Sequence, residues 1–167
     1  MRRLPLLLLL FLVNSCSHSG PADQPVPASA SGGDDCRLLF WEDGDTAIVD
    51  CPPGGRVTVR LVGIDTPESG FDDNSRRRGE RQVRWWHLSL EQVFACGKAA
   101  TRRARQLCPR SSPVRLEGRQ TDKYGRRLAK IFCRGVNINE QLVKEGLAGR
   151  YPYPRLPDKP AACPPAP

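Results

Sequence analysis

Residues 60–68 read Arg60-Leu61-Val62-Gly63-Ile64-Asp65-Thr66-Pro67-Glu68, a hydrophobic strand that runs out into charged side chains. Just upstream, Val57, Val59 and Leu61 alternate with Thr58 and Arg60. That period of two predicts a strand with one buried face and Arg60 on its polar face. Strict alternation would send Asp65 to the opposite side, but Gly63 permits a bulge, and one extra residue returns Asp65 to the side of Arg60. Pro67 fixes its own φ and biases Thr66 towards extended backbone, so Glu68 is held at a set angle just past the strand. A guanidinium and two carboxylates then converge. The set suits phosphate chemistry: one carboxylate for a hard cation, one to take a proton from water, and an arginine for phosphoryl oxygens. The plainer alternative is a polar strand-to-loop turn, and the surrounding chain decides between them.

Upstream, Arg37 to Trp41 and Thr46 to Val49 flank Asp43-Gly44, a hairpin signal. With Asp43 and Gly44 as the two loop residues, Cys36 faces Cys51 across the ladder, which predicts a Cys36–Cys51 disulfide. Pro52 to Gly55 supply the next turn before the strand that carries Arg60.

Downstream, residues 69–88 form a polar, arginine-rich insertion that reads as a loop, with Trp85 and Trp86 near its end. Those tryptophans either stack on single-stranded bases among the arginines or cover the barrel or a helix. Ser89 and Gln92 make a capping box ahead of Leu90, Val93, Gly97, Ala100, Ala104 and Leu107, so a helix follows and stops at Pro109. Val114 to Glu117 and Arg127 to Cys133 are two more strands around the turn Thr121 to Gly125. Cys96 and Cys108 lie twelve positions apart on the helix, about 18 Å, and cannot pair with each other. Folding the last strands back brings Cys108 near Cys133 and leaves Cys96 for Cys163. Asn137 and Glu140 open a short final helix that Gly146 closes. Three strands, helix, two strands, helix is an α+β order, and it fits a five-stranded Greek-key barrel of the OB type with two helices.

The ends of the chain have a different composition. Arg2 and Arg3 precede the ten-residue apolar run Leu4 to Val13, too short to span a bilayer and suited to a secretory signal over residues 1–15. Val13-Asn14-Ser15-Cys16 resembles a lipobox in which Cys16 is lipidated, with Asn14 its unusual member. Residues 16–35 are a Ser, Gly, Pro and Ala tether without the apolar content to bury a core. The domain proper is expected over residues 36–155, followed by a proline-rich tail over 156–167. Of the seven cysteines, lipidation of Cys16 leaves an even six, which in an exported chain read as three disulfides. The formal charge of +8 stays positive after loss of Arg2 and Arg3 and favours a polyanionic partner. His18 and His87 fall in tether and insertion, which excludes reaction classes built on a histidine pair.

Four segments stand out together: Asp43-Gly44-Asp45-Thr46, Arg60 to Glu68, Asp122-Lys123-Tyr124-Gly125-Arg126, and Asn139-Glu140-Gln141-Leu142-Val143-Lys144-Glu145-Gly146-Leu147-Ala148. In this order and spacing they resemble the staphylococcal nuclease (thermonuclease) family over about residues 37–153. The resemblance implies a Ca²⁺ ion held by Asp45, Asp65 and the carbonyl of Thr66. It implies Glu68 as the base acting on the attacking water, and Arg60 and Arg126 as the phosphate-binding, charge-stabilising pair. The implied substrates are DNA and RNA, cut to leave a 3′-phosphate. Lys123 and Tyr124 would contact the substrate's terminal phosphate and sugar, or else be a solvated turn. Asp43 would stand behind the metal ligands or merely shape its turn, and either Tyr151 or Tyr153 would stack on a base. The tail departs from the family, because Pro154, Pro157 and Pro160 forbid a further long helix. The expected protein is therefore an exported monomeric nuclease, membrane-attached if Cys16 carries lipid. A nucleic-acid-binding OB module without catalysis and a surface-tethered structural lipoprotein are the competing readings.

Overall fold

The computed structural model describes residues 34–70, 72–151 and 160–163. The leader, Cys16, most of the tether and Tyr153 lie outside the described residues. The first strand, β1 (Asp34–Trp41), begins two residues earlier than the expected domain start, because Asp34 and Asp35 already pair with Leu116 and Arg115. β1 turns back into β2 (Thr46–Cys51), which pairs with β3 (Gly55–Leu61). After helices α1 (Asp73–Trp86) and α2 (Leu90–Leu107) come β5 (Pro113–Thr121) and β6 (Arg127–Cys133). The sheet order β3-β2-β1-β5-β6 is closed by a parallel β3–β6 pairing, giving a five-stranded barrel. Short strands β7 (Val136–Asn137), β4 (Ile64–Asp65) and β8 (Gly149–Arg150) and helix α3 (Ile138–Lys144) complete the described fold.

Inward-facing residues of the strands fill the barrel as their alternation dictates: Leu38, Val49, Val59, Leu61, Leu116 and Ile131 are all essentially inaccessible, with Ile138 and Leu142 of α3 buried in the same core. Trp41 is buried too, and its indole N–H donates to the Cys108 carbonyl at 3.0 Å, tying the barrel to the end of α2. Asn139 is a buried polar anchor: its amide accepts from Ile131 N at 3.1 Å and donates to the Val62 carbonyl at 2.9 Å. That bond fixes the turn leading from β3 towards Asp65.

The three disulfides join Cys36 to Cys51, Cys96 to Cys163 and Cys108 to Cys133. The β1–β2 hairpin is not the two-residue loop of the sequence reading. Residues 42–45 all lie outside the strands, and the register shifts by one between Leu38 and Phe40. The bulge absorbs the longer loop, so Arg37 still faces Asp50 and Cys36 still meets Cys51.

Two expectations are corrected. Gly63 does not make a bulge within one continuous strand. With φ +78° it closes a turn at Val62-Gly63, after which β4 leaves the barrel to pair with β8. The insertion 69–88 is not a loop, and the fold has three helices among the described residues, not two. Asp72 caps α1 by accepting from Ser75 N at 2.6 Å. The buried face of α1 is Ser75, Gly79, Gln82 and Trp86, which recur at helical spacing but are mostly small or polar. A Cβ on Gly79 would press on Phe94 and Leu90, so glycine is what lets α1 lie close against α2. Trp86 is buried with Leu88, Val93, Cys96 and Cys163, and Trp85 packs against the same cluster, so the pair covers the helices and is not a base-stacking platform.

Candidate active site

The charged residues of the four motifs gather because of how β2, β3 and β6 pair. Thr46 stands opposite Arg60, and the Leu61 N–H donates to the Asp45 carbonyl at 2.8 Å, so the end of the first hairpin is pinned to the end of β3. The parallel pairing sets Arg60 opposite Leu128, which brings Arg126, two residues earlier, to the same rim. A cleft of about 640 Å³ opens there, lined by Asp43, Asp45, Arg60, Asp65, Glu68, Tyr124 and Arg126. Outside the four motifs, Asn74, Arg77, Arg78 and Arg81 of α1 also line it.

At its floor the Arg60 guanidinium bridges two carboxylates, with Nη1 at 2.5 Å from Asp45 Oδ1 and Nη2 at 2.5 Å from Asp65 Oδ1. The sequence placed Arg60 and Asp65 on one side, and the structure joins them through a turn. Burial alone would lower the Arg60 pKa, but Asp45, Asp65 and Asp43 outweigh it and hold the guanidinium charged. The second oxygen of Asp45 accepts from the Thr66 N–H at 2.7 Å and its hydroxyl at 2.8 Å. Asp43 accepts from the Asp45 N–H at 3.1 Å. Burial, followed by repulsion from Asp45, pushes the Asp43 carboxyl up to about 7. Burial also raises Asp65, to about 7, against the pull of Arg60.

Glu68 is held by a residue that the sequence reading passed over. Arg78 of α1 grips it with two bonds, Nε to Oε1 at 2.6 Å and Nη2 to Oε2 at 2.9 Å. Burial still leaves the Glu68 pKa raised, with Arg78 the main opposing influence. Gln82, only 3% exposed, is the second unforeseen residue. Its amide oxygen accepts from the Glu68 N–H at 2.8 Å, while its NH₂ donates to the Thr66 carbonyl at 3.1 Å and to Asp65 Oδ2 at 3.3 Å. Behind this loop α2 approaches so closely that a Cβ on Gly97 would overlap the Glu68 and Pro67 carbonyls. Residues 65–68 are thus clamped by Asp45, Gln82 and Gly97. The only sequence signal for Gln82 was its place in the Ser75, Gly79, Gln82, Trp86 series, which carries almost no hydrophobic pattern.

Arg126 reaches the cleft from a turn stiffened by Asp122, which accepts from the Arg126 backbone at 3.0 Å and its Nε at 2.8 Å. Burial opposes the Asp122 charge, but these bonds and one from Tyr124 N outweigh it and lower its pKa. Tyr124 is 71% exposed, its ring 5.0 Å from Lys123 Nζ and 5.5 Å from the Arg126 guanidinium. Tyr124 lines the cleft; Lys123 and Tyr151 do not, and the Tyr151 N–H is taken by the Gly63 carbonyl at 3.0 Å.

Among the described residues no group of three or more His, Cys, Asp or Glu forms a ready metal cage. A cation in this cleft would be held by the carboxylates of Asp45 and Asp65 and by the Thr66 carbonyl. Four acidic side chains, Asp43, Asp45, Asp65 and Glu68, line the cleft, and two of its arginines, Arg60 and Arg78, are paired with them. An all-oxygen donor set fits a hard divalent ion.

Comparison with known proteins bears on the same residues. The sequence matches the family model described as staphylococcal nuclease homologue over residues 58–162. It is 32% identical over 142 residues to a thermonuclease of Staphylococcus hyicus, covering 84% of this chain and 73% of that protein. It is 34% identical over 111 residues to an uncharacterized protein of Bacillus anthracis, covering 66% of this chain and 44% of the relative. With endonuclease YhcR of Bacillus subtilis it shares 29% over 136 residues, 77% of this chain and 10% of that much longer protein. The barrel, the matched span that runs from β3 through α3, and a thermonuclease relative covered over most of its length lead to one conclusion: this chain belongs to the staphylococcal nuclease homologue family.

Proposed function

We propose that the protein is an exported, Ca²⁺-dependent nuclease that hydrolyses phosphodiester bonds of DNA and RNA to leave a 3′-phosphate. The observation that carries this reading is the convergence of Arg60, Glu68 and Arg126 on one cleft beside the acidic pair Asp45 and Asp65. A binding module needs the arginines but has no use for a half-buried carboxylate lining the cleft beside them. When bound at Asp45, Asp65 and Thr66, the ion would polarise a phosphoryl oxygen.

Glu68 orients a water and takes its proton as the water oxygen attacks phosphorus. The bond to the 5′-oxygen breaks, that oxygen is protonated from solvent, and the products carry a 3′-phosphate and a 5′-hydroxyl. Burial raises the proton affinity of Glu68, which moves a carboxylate towards the range in which a general base works near neutrality. Its two oxygens keep lone pairs free for water while Arg78 holds them in place. Arg126, tied to Asp122, and Arg60 meet the charge that builds on the phosphoryl oxygens; donors set in place beforehand of this kind are each worth about 100- to 1,000-fold. Cys36–Cys51, Cys96–Cys163 and Cys108–Cys133 support an oxidising compartment, in keeping with an export signal, with Cys16 a site for lipid.

The test is cleavage of single- and double-stranded DNA and of RNA by the oxidised protein, with Ca²⁺ or chelator present, and analysis of the product ends. Calcium-dependent cutting to 3′-phosphates is expected. Binding without cutting would make the protein a binding module.

A further inference from the structure

Helix α1 carries Arg76, Arg77, Arg78, Arg81 and Arg84 against only Asp73 and Glu80. Two of these arginines are engaged with carboxylates: Arg78 with Glu68, and Arg76 with Glu80 at 3.9 Å. Among the described residues Arg77, Arg81 and Arg84 are not, and of these Arg77 and Arg81 line the cleft. The Arg77 guanidinium touches only the neutral amide of Asn74, at 2.8 Å, and Arg81 has no ion pair or side-chain hydrogen bond among the described residues. Both are exposed, and both line the same cleft as Arg60, Glu68 and Arg126.

At positions i and i+4 they stand about one helical turn apart, about 6 Å along the axis. Two long side chains at that spacing can reach consecutive phosphates of one strand. The exposed Tyr124 ring and Arg126 line the same cleft, so a strand held on these arginines has an aromatic face available to a base within one lining. The rest of the helix explains why these two remain uncommitted. Its inner face is spent on Gln82, Gly79 and Trp86, which seat the helix, and Arg78 is spent on Glu68.

We propose that Arg77 and Arg81 form a backbone-binding wall for the phosphates that flank the scissile one, so that the cleft accepts a polynucleotide strand in preference to an isolated phosphodiester. This rests on the nuclease reading of the cleft. The contacts are to phosphate and carry no base preference.

The experiment compares Arg77→Gln/Arg81→Gln with a charge-matched control, Arg102→Gln/Arg110→Gln, whose side chains are exposed and do not line the cleft. All are made in the oxidised protein with Glu68→Gln, so that binding is read without turnover. Fluorescence anisotropy with a single-stranded oligodeoxynucleotide of about twelve nucleotides is recorded across a salt series. Loss of two phosphate contacts lowers the slope of log K against log salt by about 1.4. The Kd should rise about ten-fold, as for two exposed charge contacts at the stronger end of their range. With Glu68 restored, the fall in kcat/KM should shrink as the substrate shortens to a dinucleoside monophosphate, which has no flanking phosphate. The proposal is overturned if slope and Kd do not move, if the control pair reproduces the change, or if long and short substrates lose equally. Because the binding arm needs no cleavage, a protein that binds but does not cut refutes the nuclease reading while still deciding the wall.

Discussion

Replacing Gln82 by alanine should separate the seating of residues 65–68 from the chemistry proposed for them. The side chain is buried and makes three bonds to residues 65, 66 and 68. Removing it strands the Glu68 N–H, a loss of about 1–3 kcal/mol for a buried donor left without a partner. The 3.1 Å bond to the Thr66 carbonyl adds about 1 kcal/mol, and the 3.3 Å contact to Asp65 little more. The expected destabilisation is about 3 kcal/mol, near 10 °C in Tm for a domain of this size. Activity should fall further than stability accounts for. Glu68 keeps the Arg78 grip on its carboxylate but loses the bond that seats its backbone, and a displacement of about 1 Å at a reacting group costs on the order of 100-fold. Urea unfolding gives the first quantity; kcat measured well below both melting temperatures gives the second. Gln82→Glu, which keeps the acceptor but adds a fifth carboxylate to the floor, should recover part of the stability and less of the rate. If Gln82→Ala melted and cut like the wild type, the clamp would be incidental and the argument wrong.

Gly97→Ala should destabilise by about 1–3 kcal/mol despite alanine's better helix propensity, because the new Cβ meets the Glu68 and Pro67 carbonyls; a rise in Tm would contradict the close approach. Arg103 holds both oxygens of Glu145, at 2.6 and 2.7 Å, linking α2 to the end of α3, and this hydrogen bonding is the main reason the Glu145 pKa is lowered. A lowered carboxyl stabilises the fold fully above its unfolded value near 4.5 and loses that contribution as pH falls through the folded value. Arg103→Ala should therefore melt earlier than wild type at pH 7, with the gap closing below pH 4.5, and an unchanged gap in acid would refute the assignment. Cys163→Ser, paired with Cys96→Ser to avoid a free thiol, releases a link that spans 67 residues and should cost up to about 4 kcal/mol in a melt under oxidising conditions.

The parts of this protein that were legible in its sequence are those written in hydrophobic period and in cap residues. Val57, Val59 and Leu61 announced β3, Ser89 and Gln92 announced α2, and Asn137 announced α3. Cys36 and Cys51 met as expected because the bulge near Leu38 cancelled the error in loop length. Helix α1 was hidden for the opposite reason. Its buried face is serine, glycine, glutamine and one tryptophan, so the helix is seated by close approach and by hydrogen bonds, which leave no apolar stripe to count. Arg78 and Gln82 were lost with it, since nothing in a polar run says which arginine turns inward. Arg60 and Asp65 were placed on the same side for a reason that proved different, a turn in place of a bulge, because both devices use a glycine and both reverse the sense of a side chain. Lys123 and Tyr151, included through the resemblance, lie beyond the cleft lining, whereas Tyr124 is part of it.

The central claim is that Glu68 acts on water in this cleft, and single-turnover cleavage by Glu68→Gln tests it most directly. The substitution keeps the size of the side chain and can still accept a bond from Arg78, so binding should persist. With Ca²⁺ and saturating protein, the account predicts oligonucleotide affinity within a few-fold of wild type and a cleavage rate lower by about 100- to 10,000-fold. Cleavage at the wild-type rate, with the same calcium dependence, would contradict it.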